Sequence, residues 1–164
     1  MKRKLLIVFF AALFFIGIIY SFQREPSVEV GKVTVFYNEK EYEIKGQQSE
    51  IHNGSKSKTF DIQTNISDVK NNAKAFDQSV VQNQGKDAIQ MLTNILVSYY
   101  GRVYSSSYTI YDFSGNILQK NENSLNLPTK NIDGCIVKVD VTWGRKSNYK
   151  KYTYFFRVNY IKQT

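Results

Sequence analysis

From Cys135 to Trp143 every second residue is apolar, in the order Cys135, Val137, Val139, Val141, Trp143. Ile136, Lys138, Asp140 and Thr142 lie between them. Successive side chains of a strand point to opposite faces, so this run defines a strand with one face toward a core. A helix would scatter the same residues around its axis. The next apolar stretch, Tyr152 to Ile161, alternates in the same way. Tyr152, Tyr154, Phe156, Val158 and Tyr160 form one face, and Thr153, Phe155, Arg157, Asn159 and Ile161 the other. The two runs predict an antiparallel hairpin, with Gly144 to Lys151 as a basic loop between them. Trp143 is expected in the core, packing across two sheets.

Earlier segments give shorter versions of the same signal. Lys32 to Tyr37 alternates, Asn38-Glu39-Lys40 reads as a turn, and Glu41 to Lys45 returns with Tyr42 and Ile44 on one face. Gly46 to Lys58 is polar and reads as loop. Thr59 to Ile66 alternates again. Ser67 or Asp68 is placed to cap a helix carrying Val69, Ala73, Phe76 and Val80, with Gly85 to end it. Lys86 to Tyr100 suits either a helix or a buried strand. Tyr108 to Phe113 reads as a strand and Ser114-Gly115-Asn116 as a turn. Ser124 to Leu127 reads as a short strand stopped by Pro128. Seven or eight short strands (roughly, by these turn signals) point to an antiparallel β-sandwich, with a helical insertion in the middle as an option.

The N-terminus sets the compartment. Met1-Lys2-Arg3-Lys4 is basic, and Leu5 to Phe22 carries no charge. As a helix, that run of about 18 residues spans about 27 Å, close to the hydrocarbon thickness of a bilayer. Basic residues stay on the cytoplasmic side, so the rest of the chain is expected outside the cell. The expected division is an anchor or signal segment over 1–22, a stalk over 23–30 and an extracytoplasmic domain over 31–164. An uncleaved anchor is preferred to secretion after signal cleavage, because the run outlasts a usual signal core and its end offers poor small-residue positions. The expected location is the plasma membrane, single-pass, with the C-terminal domain outside.

The Leu125-Asn126-Leu127-Pro128 stretch, Gly134 to Val139, Val141-Thr142-Trp143-Gly144 and Tyr154 to Val158 together resemble the C-terminal half of an Ig-like domain. Similar domains occur in small membrane-anchored proteins and lipoproteins of Gram-positive bacteria. The resemblance runs from about Tyr108 to Tyr160. It implies an Ig-like antiparallel β-sandwich following one transmembrane helix, and it carries no catalytic residues over. Cys135 departs from it, standing where an aromatic residue is common.

Composition excludes several chemistries. One Cys and one His cannot assemble a thiolate or imidazole metal cluster, and no phosphate or calcium loop is present. Neither a metal nor a cofactor is expected. His52 lies in the polar stretch, without a nucleophile beside it. Cys135 is expected to be buried and inert, and Asp112, Asp133 and Asp140 carry no glycosidase motif. The net charge is +8, and removing Lys2, Arg3 and Lys4 leaves 19 basic against 14 acidic residues, a surplus of five. Arg145, Lys146, Tyr149, Lys150 and Lys151 mix cations with an aromatic ring, a composition suited to an anionic surface. Nucleic acid is not expected as a partner outside the cell.

The reading is therefore a non-catalytic, membrane-anchored, extracytoplasmic module for binding or assembly, with protein interaction at the cell envelope as its expected task. The alternative is a binder of anionic wall polymer or lipid through Arg145, Lys146, Tyr149, Lys150 and Lys151. An anchored wall hydrolase is a third option.

Overall fold

In the computed structural model the described residues are 13–14, 27–62, 65–82, 89–92, 94–130 and 133–163. The expected anchor falls almost wholly outside them: only Leu13 and Phe14 are described, helical and exposed. Among the described residues no helix is long and apolar enough to cross a membrane. Gly85 and 86–88, within the expected helix end and the ambiguous segment, also lie outside them.

The domain is mainly β. β1 (Lys32–Tyr37) lies between β2 (Lys40–Ile44) and β7 (Leu96–Tyr100) in a three-stranded antiparallel sheet. Asn38 and Glu39 turn β1 into β2 with positive φ of 47° and 61°, the geometry that matches strand twist in a two-residue hairpin. The larger sheet is built on β10 (Gly134–Arg145) and β11 (Asn148–Lys162). They pair without a register break from Gly134↔Asn159 to Arg145↔Asn148. β8 (Val103–Tyr111) flanks β10, and β9 (Ile117–Glu122) flanks β8.

β11 is long enough to serve two neighbours on one side. Its first half pairs antiparallel with β3 (Gly46–Asn53), which carries β4 (Lys56–Thr59) at its edge. Its second half pairs parallel with β5 (Lys74–Gln82), which carries β6 (Ile89–Met91). That parallel pair is an exception to the expected antiparallel arrangement.

The two sheets share one core. Cys135, Val137, Val139, Val141 and Trp143 are all fully buried, and Tyr154, Phe156, Val158 and Tyr160 line up beside them. The small sheet contributes Val33, Val35 and Ile44. Phe76 joins the layers: its ring centroid lies 5.5 Å from those of Tyr37 and Tyr42 and 5.8 Å from that of Phe156. The hydroxyls of Tyr99 and Tyr108 also hydrogen-bond between the layers. Trp143 donates its indole N–H to the Tyr154 hydroxyl at 3.2 Å. Contacts of this kind make the expected core role of Trp143 a structural fact.

Four sequence expectations need correction. Gly46 to Lys58 is not loop but the β3–β4 hairpin. Its polar residues suit strands whose partners are hydrogen bonds: Ser49 Oγ to Lys151 O at 3.1 Å, and Tyr152 Oη to Gln48 Oε1 at 3.1 Å. The strand expected over Thr59 to Ile66 is not continuous, because β4 ends at Thr59 and Ile66 opens a helix. That helix, α1 (Ile66–Asn72), is short and is capped by Asn65, whose side chain accepts from Ser67 N at 3.1 Å. Phe76 and Val80 then belong to strand β5, not to the helix. They are four residues apart, a spacing that satisfies both periods. Finally, Ser124 to Leu127 forms no strand, although Leu125 and Leu127 still pack on the core.

The residue that breaks the tie in β5 is Gln78. It is 1% exposed, between Phe76 and Val80 on the inward face. Its Nε2 donates to Ser79 O at 3.2 Å, while Oε1 has no partner among the described residues. Ser79 O also accepts from Leu92 N at 2.8 Å, so it keeps a donor if Gln78 is removed. Gln78→Met, similar in length and free of the orphaned acceptor, is expected to stabilise the protein by about 1 kcal/mol. A urea titration should show a higher midpoint at unchanged slope. A lower midpoint would mean that the amide is needed where it is.

Candidate functional site

The end of the sandwich where β10 turns into β11 collects most of the chemistry that the sequence singled out. The expected basic loop contracts to a two-residue turn, Lys146 and Ser147, because pairing continues up to Arg145 and resumes at Asn148. Lys150 and Lys151 are strand residues, and this changes what they can do. Lys150 is opposite Trp143 and sends its Nζ to Val28 O at 3.1 Å. Lys151 is half-buried and lies beside Glu50 in the ladder. Tyr149 is half-buried, stacked on His52 with ring centroids 4.8 Å apart and planes 14° apart. Its hydroxyl donates to Glu50 Oε1 at 2.8 Å. That bond, more than those from Ser57 and the charge of Lys151, holds the Glu50 carboxyl below the usual range. His52 is thus a strand residue packed on a tyrosine, and not a loop residue.

Of the five residues expected at an anionic contact, Arg145 and Lys146 remain exposed at the tip. Two cations that sequence reasoning passed over join them. The register runs Arg145↔Asn148, Asn148↔Asn53 and Asn53↔Lys56, so the ends of four strands stand in one row and Lys56 is at its far side. Arg102 stands on the other side, where its carbonyl accepts from Gly144 N at 3.0 Å. Gly54 and Ser55, within the stretch read as loop, form the turn from β3 to β4, and the pairing of β3 with β11 sets this turn beside the β10–β11 turn. Gly54 N donates to Ser147 O at 2.9 Å and ties them together.

The chain approaching β1 docks at this same end. Val28 and Val30, expected as stalk, pack on the core. Gly31 and Gly101 cross above the Trp143 ring, and a Cβ on Gly101 would lie 2.9 Å from Gly31 Cα. Between the docked segment and the strand ends runs a groove of about 320 Å³, lined by Ser27, Glu29, Tyr100, Arg102, Arg145 and Asn148 among others. Tyr100, 50% exposed, donates to Glu41 Oε1 at 2.5 Å across the outer face of the small sheet.

The other candidates are occupied in structural work. Cys135 is buried, and burial pushes its thiol up to about 12. Asp112 accepts from Ser114 N, Asn116 N and Asn116 Nδ2 at 2.7–2.9 Å and shapes the β8–β9 turn. Asp140 is paired with Lys138 at 2.9 Å and accepts from Thr153 Oγ1 at 2.5 Å. Asp133 offers its carbonyl to Tyr160 N at 2.9 Å. Among the described residues no group of three His, Cys, Asp or Glu side chains is arranged to hold a metal ion.

Comparison of the chain with protein families, with curated proteins and with solved structures finds no match in any of the three.

Proposed function

We propose that the protein is a non-catalytic, single-pass membrane-anchored module whose Ig-like domain, outside the cell, binds or assembles a protein partner at the envelope. The observation that carries this reading is the outer face of the three-stranded sheet. Phe36 and Leu96 are direct neighbours there in the β1–β7 register, 37% and 58% exposed. Tyr100 extends over the same face toward Glu41. Adjacent aromatic and aliphatic side chains with polar groups around them have the make-up of a protein-interface centre. Single exposed apolar residues need no such account, but a paired set on one sheet does.

The test places a photocrosslinking amino acid at Ser98, on the same face, and irradiates intact cells. One discrete adduct is expected, lost in Phe36→Asp and in Leu96→Asp. Absence of an adduct, or one that both substitutions leave unchanged, would overturn the reading. A membrane-impermeant thiol reagent should label Ser114→Cys without cell lysis, and labelling only after lysis would remove the extracytoplasmic placement.

A second reading, contact with an anionic wall polymer or lipid, is favoured by Arg102, Arg145, Lys146 and Lys56. None of them has a carboxylate partner among the described residues.

A further inference from the structure

We infer that the strand-end row of Lys56, Arg102, Arg145 and Lys146 is a seat for the anionic surface of the bilayer that holds the chain. The inference rests on the membrane-anchored reading above and adds an orientation to it.

Two independent features place this row next to the membrane. The first is the length of chain available. The uncharged run ends at Phe22 and the described backbone resumes at Ser27. The five residue steps from Phe22 to Ser27 span at most about 18 Å when fully extended. The second is where that chain is held. Lys150 grips Val28 O, Gly31 lies against Gly101 over Trp143, and Ser27, where the described chain begins again, lines the groove beside Arg145 and Asn148 at the β10–β11 turn. The anchor's exit point and the cation row are thus on one end of the sandwich. The opposite end, with the Asp112–Asn116 turn, is eight residue steps along β8, about 27 Å away at the usual rise of a strand.

Charge then selects the occupant. All four cations are exposed, and each comes from a different strand end or turn, so they spread across the end surface. The groove beside them has a single carboxylate among its lining residues, Glu29. Juxtamembrane cations of this kind are attracted to acidic lipid headgroups, and the attraction decays within a Debye length, about 10 Å at 0.1 M salt. A wall polymer has no such tether to bring it to this end.

The full chain would be reconstituted in vesicles of phosphatidylcholine alone and of phosphatidylcholine with phosphatidylglycerol. A fluorophore is attached at Ser147→Cys, or at Ser114→Cys as the distal control, and a quencher is carried on lipid headgroups. Quenching at Ser147 is expected to rise about threefold in the anionic vesicles and to return to the neutral level in about 1 M salt, where the Debye length is about 3 Å. The combined K56Q, R102Q, R145Q and K146Q variant should stay at the neutral level in both lipids. The Ser114 label should remain weakly quenched throughout. Equal quenching at Ser147 in the two lipids, with the chain floating on both, would overturn the seat and leave the anchored reading standing. Failure of the chain to float with neutral vesicles would overturn both.

Discussion

Trp143→Ala is expected to destabilise the domain by about 3–5 kcal/mol, the usual loss for truncating a large aromatic in a packed core. In a domain of this size that corresponds to a fall in Tm of roughly 10–20 °C. The residue is fully buried, and it is reached from several directions at once. Its indole N–H holds the Tyr154 hydroxyl, and its ring edge supports both Gly31 and Gly101. Truncation would open a cavity and also leave the hydroxyl of the buried Tyr154 without its donor. Trp143→Phe separates the two losses. It keeps most of the ring and removes the hydrogen bond, so it should cost about 1–2 kcal/mol. Far-UV circular dichroism is the suitable probe, because Trp143 is the only tryptophan and fluorescence disappears with it. If alanine cost no more than phenylalanine, the indole would not be the wedge between the layers.

How much of this was legible in the sequence depends on whether a residue answers to its own strand or to a distant one. The β10–β11 hairpin was readable because its alternation is long and its inner face is apolar throughout. The β1–β2 hairpin was readable for the same reason over a shorter span. β3 was not. Its residues Gly46 to Asn53 satisfy their partners through hydrogen bonds to β11, about a hundred positions away, and polar side chains there look like loop. β5 was misread because Phe76 and Val80 fit a helical face as well as a strand, and the polar Gln78 between them interrupts the apolar alternation that marks a strand. The candidate site follows the same rule. Arg145 and Lys146 were visible as a local cluster. Lys56 and Arg102 joined it only through register, and Lys150 left it because the backbone of Val28 came within its reach. Sequence proximity overstated the loop, and pairing enlarged the end surface.

Gly31→Ala is the substitution expected to have the largest effect relative to its size. A Cβ at this position would fall within the van der Waals envelope of the Tyr100 carbonyl oxygen and 2.7 Å from Cζ3 of the Trp143 ring. The first is backbone at the end of β7 and the second belongs to a fully buried ring, so neither can step aside cheaply. Gly101 cannot move away in compensation, since its φ of +140° already requires glycine and its own neighbour is Gly31 Cα. The docked segment must therefore lift. Lifting it exposes Val28 and Val30, breaks the Lys150 bond to Val28 O and frees β1 to fray from its first residues. Two half-buried valines and one charge-assisted hydrogen bond together are worth about 3 kcal/mol. Two measurements separate this from a general loss of packing. The thermal midpoint should drop by roughly 10 °C. Hydrogen exchange should accelerate selectively in Val28 to Val33 and at Tyr100 and Gly101, while β10 and the distal half of β11 keep their protection. Uniform acceleration would mean that the crossing supports the whole sandwich. Unchanged exchange around Val28 would mean that the segment is not clamped there, and the fixed exit beside the cation row would go with it.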